Sequence, residues 1–97
     1  MRKYLLMAAM MMAPLAQADE CRNHYAVAER VMEVRQEGLM SVVDMMEVAD
    51  EQQDAEFGDA MRIIIRAAYE QPRFNTPANQ RQAAMEFANE MYLRCQL

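Results

Sequence analysis

The sequence predicts an all-α fold: a small bundle of about four helices, one of them short, closed by a single disulfide between its terminal segments. Three observations predict it. No stretch of useful length alternates apolar and polar residues between turn residues, which argues against strands. Apolar residues recur at helical spacing through the second half of the chain. The few breakers after residue 18 are Gly38, Gly58, Pro72 and Pro77, and they act as punctuation between periodic stretches. The chain has 97 residues, 54% of them hydrophobic, so it holds one small domain and excludes a two-domain enzyme.

The first element, residues 1–18, reads as a secretory leader. Met1-Arg2-Lys3 is a basic start, Tyr4 to Ala13 is an apolar run, and Ala16-Gln17-Ala18 is a small-residue exit directly before Asp19-Glu20. The apolar run, broken by Pro14, falls well short of the ~20 residues that a membrane span needs. Cleavage is expected after Ala18, leaving residues 19–97 as a single helical domain in the periplasm or secreted. Lipid attachment at Cys21 is disfavoured because Asp19 and Glu20 occupy the places where small residues would be required.

Helix one is expected from Glu20 to Glu37, with Gly38 placed to cap it in the left-handed conformation. Ser41 and Asp44 resemble a capping box that opens a short helix through Val42, Val43, Met45, Met46, Val48 and Ala49. Apolar residues nearly encircle that helix, so it either inserts centrally or exposes Met and Val to a partner. Asp54 can cap a third helix from Ala55 to Glu70, which stops before Pro72. Thr76-Pro77 then starts a fourth that runs to about Cys95.

Helical projection separates the faces of the long helices. Helix three gathers Phe57, Ala60, Met61, Ile64, Ala67 and Ala68 on one side, against Asp59, Arg62, Arg66 and Glu70 on the other. Helix four gathers Ala84, Phe87, Ala88, Met91 and Cys95. In helix one, Cys21 shares a face with Ala28 and Met32, so a bridge to helix four is sterically reasonable. Export implies an oxidising compartment, and two cysteines allow one pairing, Cys21 with Cys95. The chain-entropy account values a loop of that length at roughly 4–5 kcal/mol. A redox-active pair would take the Cys-x-x-Cys form, which is missing here.

Charge narrows the partners. The chain carries −5, and the leader holds Arg2 and Lys3 without an acid, so residues 19–97 carry −7 with eight Arg and no Lys. That balance argues against nucleic acid and anionic membrane, and no stable membrane insertion is expected after cleavage.

Few residues offer chemistry. After residue 18 the chain has one Ser, one Thr and one His, and Ser41 is better used as a cap than as a nucleophile, so no enzyme is expected. No cofactor and no metal is expected: Glu20 and His24 stand four apart and seven Met remain, but Met45 and Met46 are adjacent and point about 100° apart. A copper(I) or ligand carrier using His24 or the methionines near Met45 is the weaker alternative. His24 and Arg35 both fall on the apolar arc of helix one with Val27, Ala28 and Val31, forming a candidate inward polar pair. An inward Arg there requires a carboxylate or carbonyl partner. Tyr69-Glu70-Gln71-Pro72-Arg73-Phe74 is the most distinctive surface segment, and Tyr69, Arg73 and Phe74 are residue types that concentrate interface energy.

The residues Cys21, Val31-Met32-Glu33-Val34-Arg35-Gln36-Glu37-Gly38, Met45-Met46-Glu47, Ala68-Tyr69-Glu70-Gln71-Pro72-Arg73-Phe74 and Cys95 span nearly all of the chain after residue 18. Through them the chain resembles a family of small, exported, two-cysteine helical proteins encoded in bacterial genomes and in bacteriophages or prophages. The resemblance agrees with export and a disulfide, and it carries over no activity and no catalytic residue. Periplasmic acid-stress chaperones share the size, the helicity and the single disulfide without a motif match, an analogy that transfers no function. The leading expectation is a non-enzymatic protein-binding module. The runner-up is an acid-responsive holdase, because fifteen carboxylates would neutralise below about pH 4 and loosen the packing.

Overall fold

A computed structural model of the chain describes the backbone of residues 2–96 and the side chains of residues 20–96. The expected leader and its cleavage after Ala18 fall on residues whose side chains lie outside that set. Four helices follow one another: α1 (Arg2–Glu37), α2 (Val42–Asp50), α3 (Ala55–Tyr69) and α4 (Pro77–Cys95). No strand occurs among the described residues, and the fold is all-α. The helix expected from Glu20 is the C-terminal half of a longer α1 that reaches back to Arg2.

Each later helix starts where a side chain accepts otherwise unpaired amide hydrogens. Ser41 Oγ accepts from the amide of Asp44 at 3.1 Å. Asp54 Oδ1 accepts from Glu56 at 3.0 Å and from Phe57 at 3.3 Å. Thr76 Oγ1 accepts from Asn79 at 3.2 Å, with Pro77 in the first turn. The end of α1 is a Schellman turn: Gly38 has φ +69°, its amide donates to Arg35 O, and the Leu39 amide donates to Val34 O.

The packing follows from which face each helix can bury. α3 and α4 both lie against α1, and α2 rides on α3. Val31, Met32 and Val34 of α1 meet Met61, Ile64, Ile65 and Ala68 of α3 and Ala84, Phe87, Ala88 and Met91 of α4. Ala28, Ala84 and Ala88 are fully or almost fully buried, and their small size suits the close α1–α4 contact. Met45 and Ala49 are the buried residues of α2. Gly58 lets α3 approach α2 closely, since a Cβ there would stand 3.0 Å from the Ala49 carbonyl oxygen.

Two fastenings hold α1. Cys21, buried at 2% exposure, is bonded to Cys95 with Cα atoms 5.4 Å apart, within the range a disulfide spans. Beside the bridge, the Tyr25 and Tyr92 rings meet edge to face at 6.5 Å. At the other end, Gln36 is 1% exposed and hydrogen-bonds the backbone of the α3–α4 loop on both sides of Arg73. No helix among the described residues is long and apolar enough to cross a membrane.

Candidate functional site

Tyr69 ends α3, and Arg73 and Phe74 lie in the α3–α4 loop; Tyr69 is half-buried, and Arg73, though exposed, is bonded back to the end of α1. The Tyr69 hydroxyl donates to Met40 O at 2.8 Å. Arg73 folds back over the end of α1 and donates from Nε and Nη2 to Gln36 O at 3.3 and 3.2 Å. Gly38 leaves room for that guanidinium, because a Cβ at 38 would come within 2.6 Å of Arg73 Nη2. Phe74 alone of the three offers apolar surface, at 41% exposure, beside a shallow depression bordered by Ala83 and Glu86 of α4. The segment therefore locks the fold before it presents anything to a partner.

His24 and Arg35 are both half-buried, but they do not share a pocket. They stand eleven residues apart on α1, about 16 Å along its axis. His24 borders a cleft with Glu20, Asn23, Asp54, Glu56 and Phe57. Arg35 lies with its guanidinium carbon 5.2 Å from the centre of the Tyr69 ring and donates to Gln71 O at 3.2 Å. Its partner is thus a carbonyl and an aromatic face, while its buried Nε has no hydrogen-bond partner among the described residues. Burial pushes the Tyr69 phenol above its ordinary value of 10.0; Arg35 pulls it back and Asp44 adds to the rise.

Among the described residues, no group of three or more His, Cys, Asp or Glu is placed to hold a metal ion. Met45 points into the core and Met46 lies half-buried at the surface, so the two do not converge.

A groove of about 710 Å³ runs along the outward side of α3, with α2 as one wall. Met46, Ile63 and Ala67 give it an apolar lining, and Asp50, Arg62, Arg66 and Glu70 surround them. Its origin is visible in Ile63-Ile64-Ile65: three consecutive helical residues sweep about 200°, and the core accepts only two of them. Ile64 and Ile65 are buried, and Ile63 is left 67% exposed. Val43 of α2 is 63% exposed, so the short helix turns Met45 and Ala49 inward and leaves valine outside.

One end of the groove is fastened by Arg62, whose Nε donates to Asp50 at 3.1 Å across the two helices and whose Nη1 donates to Asp59 at 2.7 Å. The hydrogen bond to Asp50, with the field of both carboxylates, raises the exposed Arg62 guanidinium further above its ordinary range despite some desolvation. Arg66 and Glu70 have no ion-pair partner among the described residues.

Two residues that organise these surfaces escaped the sequence reading. Gln36 continues the buried row Ala28, Met32 at intervals of four, so the helical projection contained the signal. Ile63 was detectable as the one isoleucine of three that a single core-facing stripe has no room for. No protein-family model, no curated protein and no solved structure matches the chain, and the resemblance noted above rests on its residues alone.

Proposed function

We propose that this chain is an exported, non-enzymatic protein-binding module that acts in the periplasm or after secretion, and that it binds through the open face of α2 and α3. The observation that carries the reading is Ile63, 67% exposed at the lip of a groove lined by Met46 and Ala67. Ile63, Met46 and Ala67 form one apolar strip rimmed by charged residues, a form that marks interaction sites where a lone exposed residue would not. The Cys21–Cys95 bridge agrees with an oxidising compartment. The hydroxyls of Ser41 and Thr76 serve as helix caps, which agrees with a role other than nucleophilic catalysis.

The test is affinity capture of the oxidised, exported protein in its native envelope, with Ile63→Asp and Phe74→Ala run in parallel. A dominant partner that is retained by Phe74→Ala and lost by Ile63→Asp is the expected result. A partner indifferent to Ile63→Asp would move the contact elsewhere.

The acid-responsive holdase stays as a second reading because other large apolar residues are exposed away from the groove, at Leu39, Met85 and Leu93. It requires protection of an aggregating client near pH 3, where the carboxylates are protonated, and little or none at neutral pH.

A further inference from the structure

Resting on the binding-module reading, we infer that the α2–α3 groove takes an amphipathic helix of another protein, seated by two apolar side chains one turn apart and carrying basic residues along its edge toward α2. Ile63 and Ala67 are one helical turn apart on α3, and Met46 faces them from α2. A helix laid along this strip presents side chains at i and i+4 or i+3 to it, the pattern by which grooves read amphipathic helices. It would complete a third side for α3, which already packs on α1 and α2.

Charge selects which helix. The segment from Val42 to Glu51 contains Asp44, Glu47, Asp50 and Glu51 and no base. Among the described residues only Asp50 of these is ion-paired, to Arg62. Helical projection sets Glu47 and Val43 on the outer lip beside Met46 and Asp50. A helix in the groove therefore brings its near edge against Asp50 and Glu47, while Asp44 and Glu51 fall on the far side of α2. On the α3 side Arg62 is held between Asp50 and Asp59, and Arg66 and Glu70 carry opposite charges, so that wall adds no positive excess. The whole chain is negative at −5, which attracts a basic segment and repels a second copy of itself.

The probe is a synthetic 14-residue peptide of Leu and Lys at amphipathic helical spacing, with a twin in which Glu replaces every Lys. Binding to the oxidised, exported protein is followed by fluorescence anisotropy, and helix formation by circular dichroism. The Lys peptide is expected to bind and become helical, and the Glu twin to bind at least tenfold more weakly. Ile63→Asp is expected to weaken the Lys peptide at least tenfold although it adds a negative charge that would strengthen a purely ionic attraction. Glu47→Gln is expected to weaken it and to flatten its salt dependence. Leu93→Asp, on α4, leaves it unchanged.

Equal affinity for both peptides, or binding of the Lys peptide that Ile63→Asp does not reduce, overturns the inference. Sedimentation that shows a dimer dissociated by Ile63→Asp assigns the groove to a second copy and overturns it as well. In each of these cases the binding-module reading is decided separately, by whether envelope capture still yields a partner that Ile63→Asp releases.

Discussion

Gln36 holds the backbone on either side of Arg73, and Arg73 holds the backbone carbonyl of Gln36. The Gln36 amide donates to Pro72 O at 2.8 Å and its Oε1 accepts from the Phe74 amide at 2.7 Å, bracketing Arg73, whose guanidinium returns to Gln36 O. A side chain here does what a neighbouring strand would do for an extended loop. The loop carbonyl and amide are satisfied without water, and the end of α1 is joined to the connection between α3 and α4.

Removing that side chain is expected to be costly. Gln36→Ala deletes two hydrogen bonds at a buried position and strands their backbone partners, a loss of roughly 2–4 kcal/mol. Gln36→Glu keeps the acceptor for Phe74 and loses the donor to Pro72 O, so it is expected to be no milder. Urea unfolding of both variants measures this. A change below about 0.5 kcal/mol would mean that the loop is held by Arg73 and the core alone.

Gly38→Ala probes the same junction from the turn. Alanine at φ +69° is strained by about 1–2 kcal/mol, and its Cβ would force Arg73 Nη2 from its place. Arg73→Ala vacates that place, so the double variant is expected to cost less than the sum of the two single ones, a coupling that a double-mutant cycle reads directly.

Much of this arrangement was legible in the sequence because it is local. The caps at Ser41, Asp54 and Thr76, the turn at Gly38 and the start of α4 at Pro77 each depend on a few neighbouring residues, and they stand where local chemistry puts them. The inward stripe of α4 followed from period alone. What a helical projection discards is distance along the axis. His24 and Arg35 share an arc and still lie in different surroundings, one near the start of α3 and the other under Tyr69. The loop residues were harder, since no periodicity governs a segment whose conformation is set by contacts with a helix more than thirty positions away.

Reduction of Cys21–Cys95 is expected to destabilise the fold by about 4–5 kcal/mol, because the bridge closes a loop with a sequence separation of 74 and restricts the unfolded chain. Unfolding of the Cys21→Ser, Cys95→Ser double variant tests it without reductant. If the loss is near 1 kcal/mol, the helices position the two residues unaided and the unfolded chain is already compact.

Alkaline stability is expected to depend on Tyr69. Burial holds its phenol above the unfolded value of 10.0, so the folded protein keeps the proton in a range where the unfolded chain has lost it. The contribution is complete below pH 10 and is lost as pH rises through the folded value. Tyr69→Phe removes this titration and the hydrogen bond to Met40 O, so it is expected to lower neutral stability by about 1 kcal/mol while flattening the decline above pH 10. Denaturation midpoints of both proteins between pH 8 and pH 11 check the sign; a Tyr69→Phe protein that declines as steeply as the parent would place the sensitivity in another group.

The isoleucine trio places two buried residues and one exposed residue in consecutive positions, which lets stability be tested apart from the proposed binding. Ile65 is fully buried and Ile64 nearly so, and replacing either with Ala removes core contacts and leaves a cavity, a cost of about 2–5 kcal/mol. Ile63 is 67% exposed, so Ile63→Ala is expected to change stability by no more than about 0.5 kcal/mol. If the groove is a contact surface, the order reverses for affinity. Ile63→Ala then weakens partner binding while the unfolding midpoint stays in place, and Ile64→Val, a mild core change of about 1 kcal/mol, shifts the midpoint and leaves affinity alone. Measuring stability and affinity on the same two variants decides it: affinity that follows the midpoint of Ile64→Val and ignores Ile63→Ala would remove the groove as a contact surface.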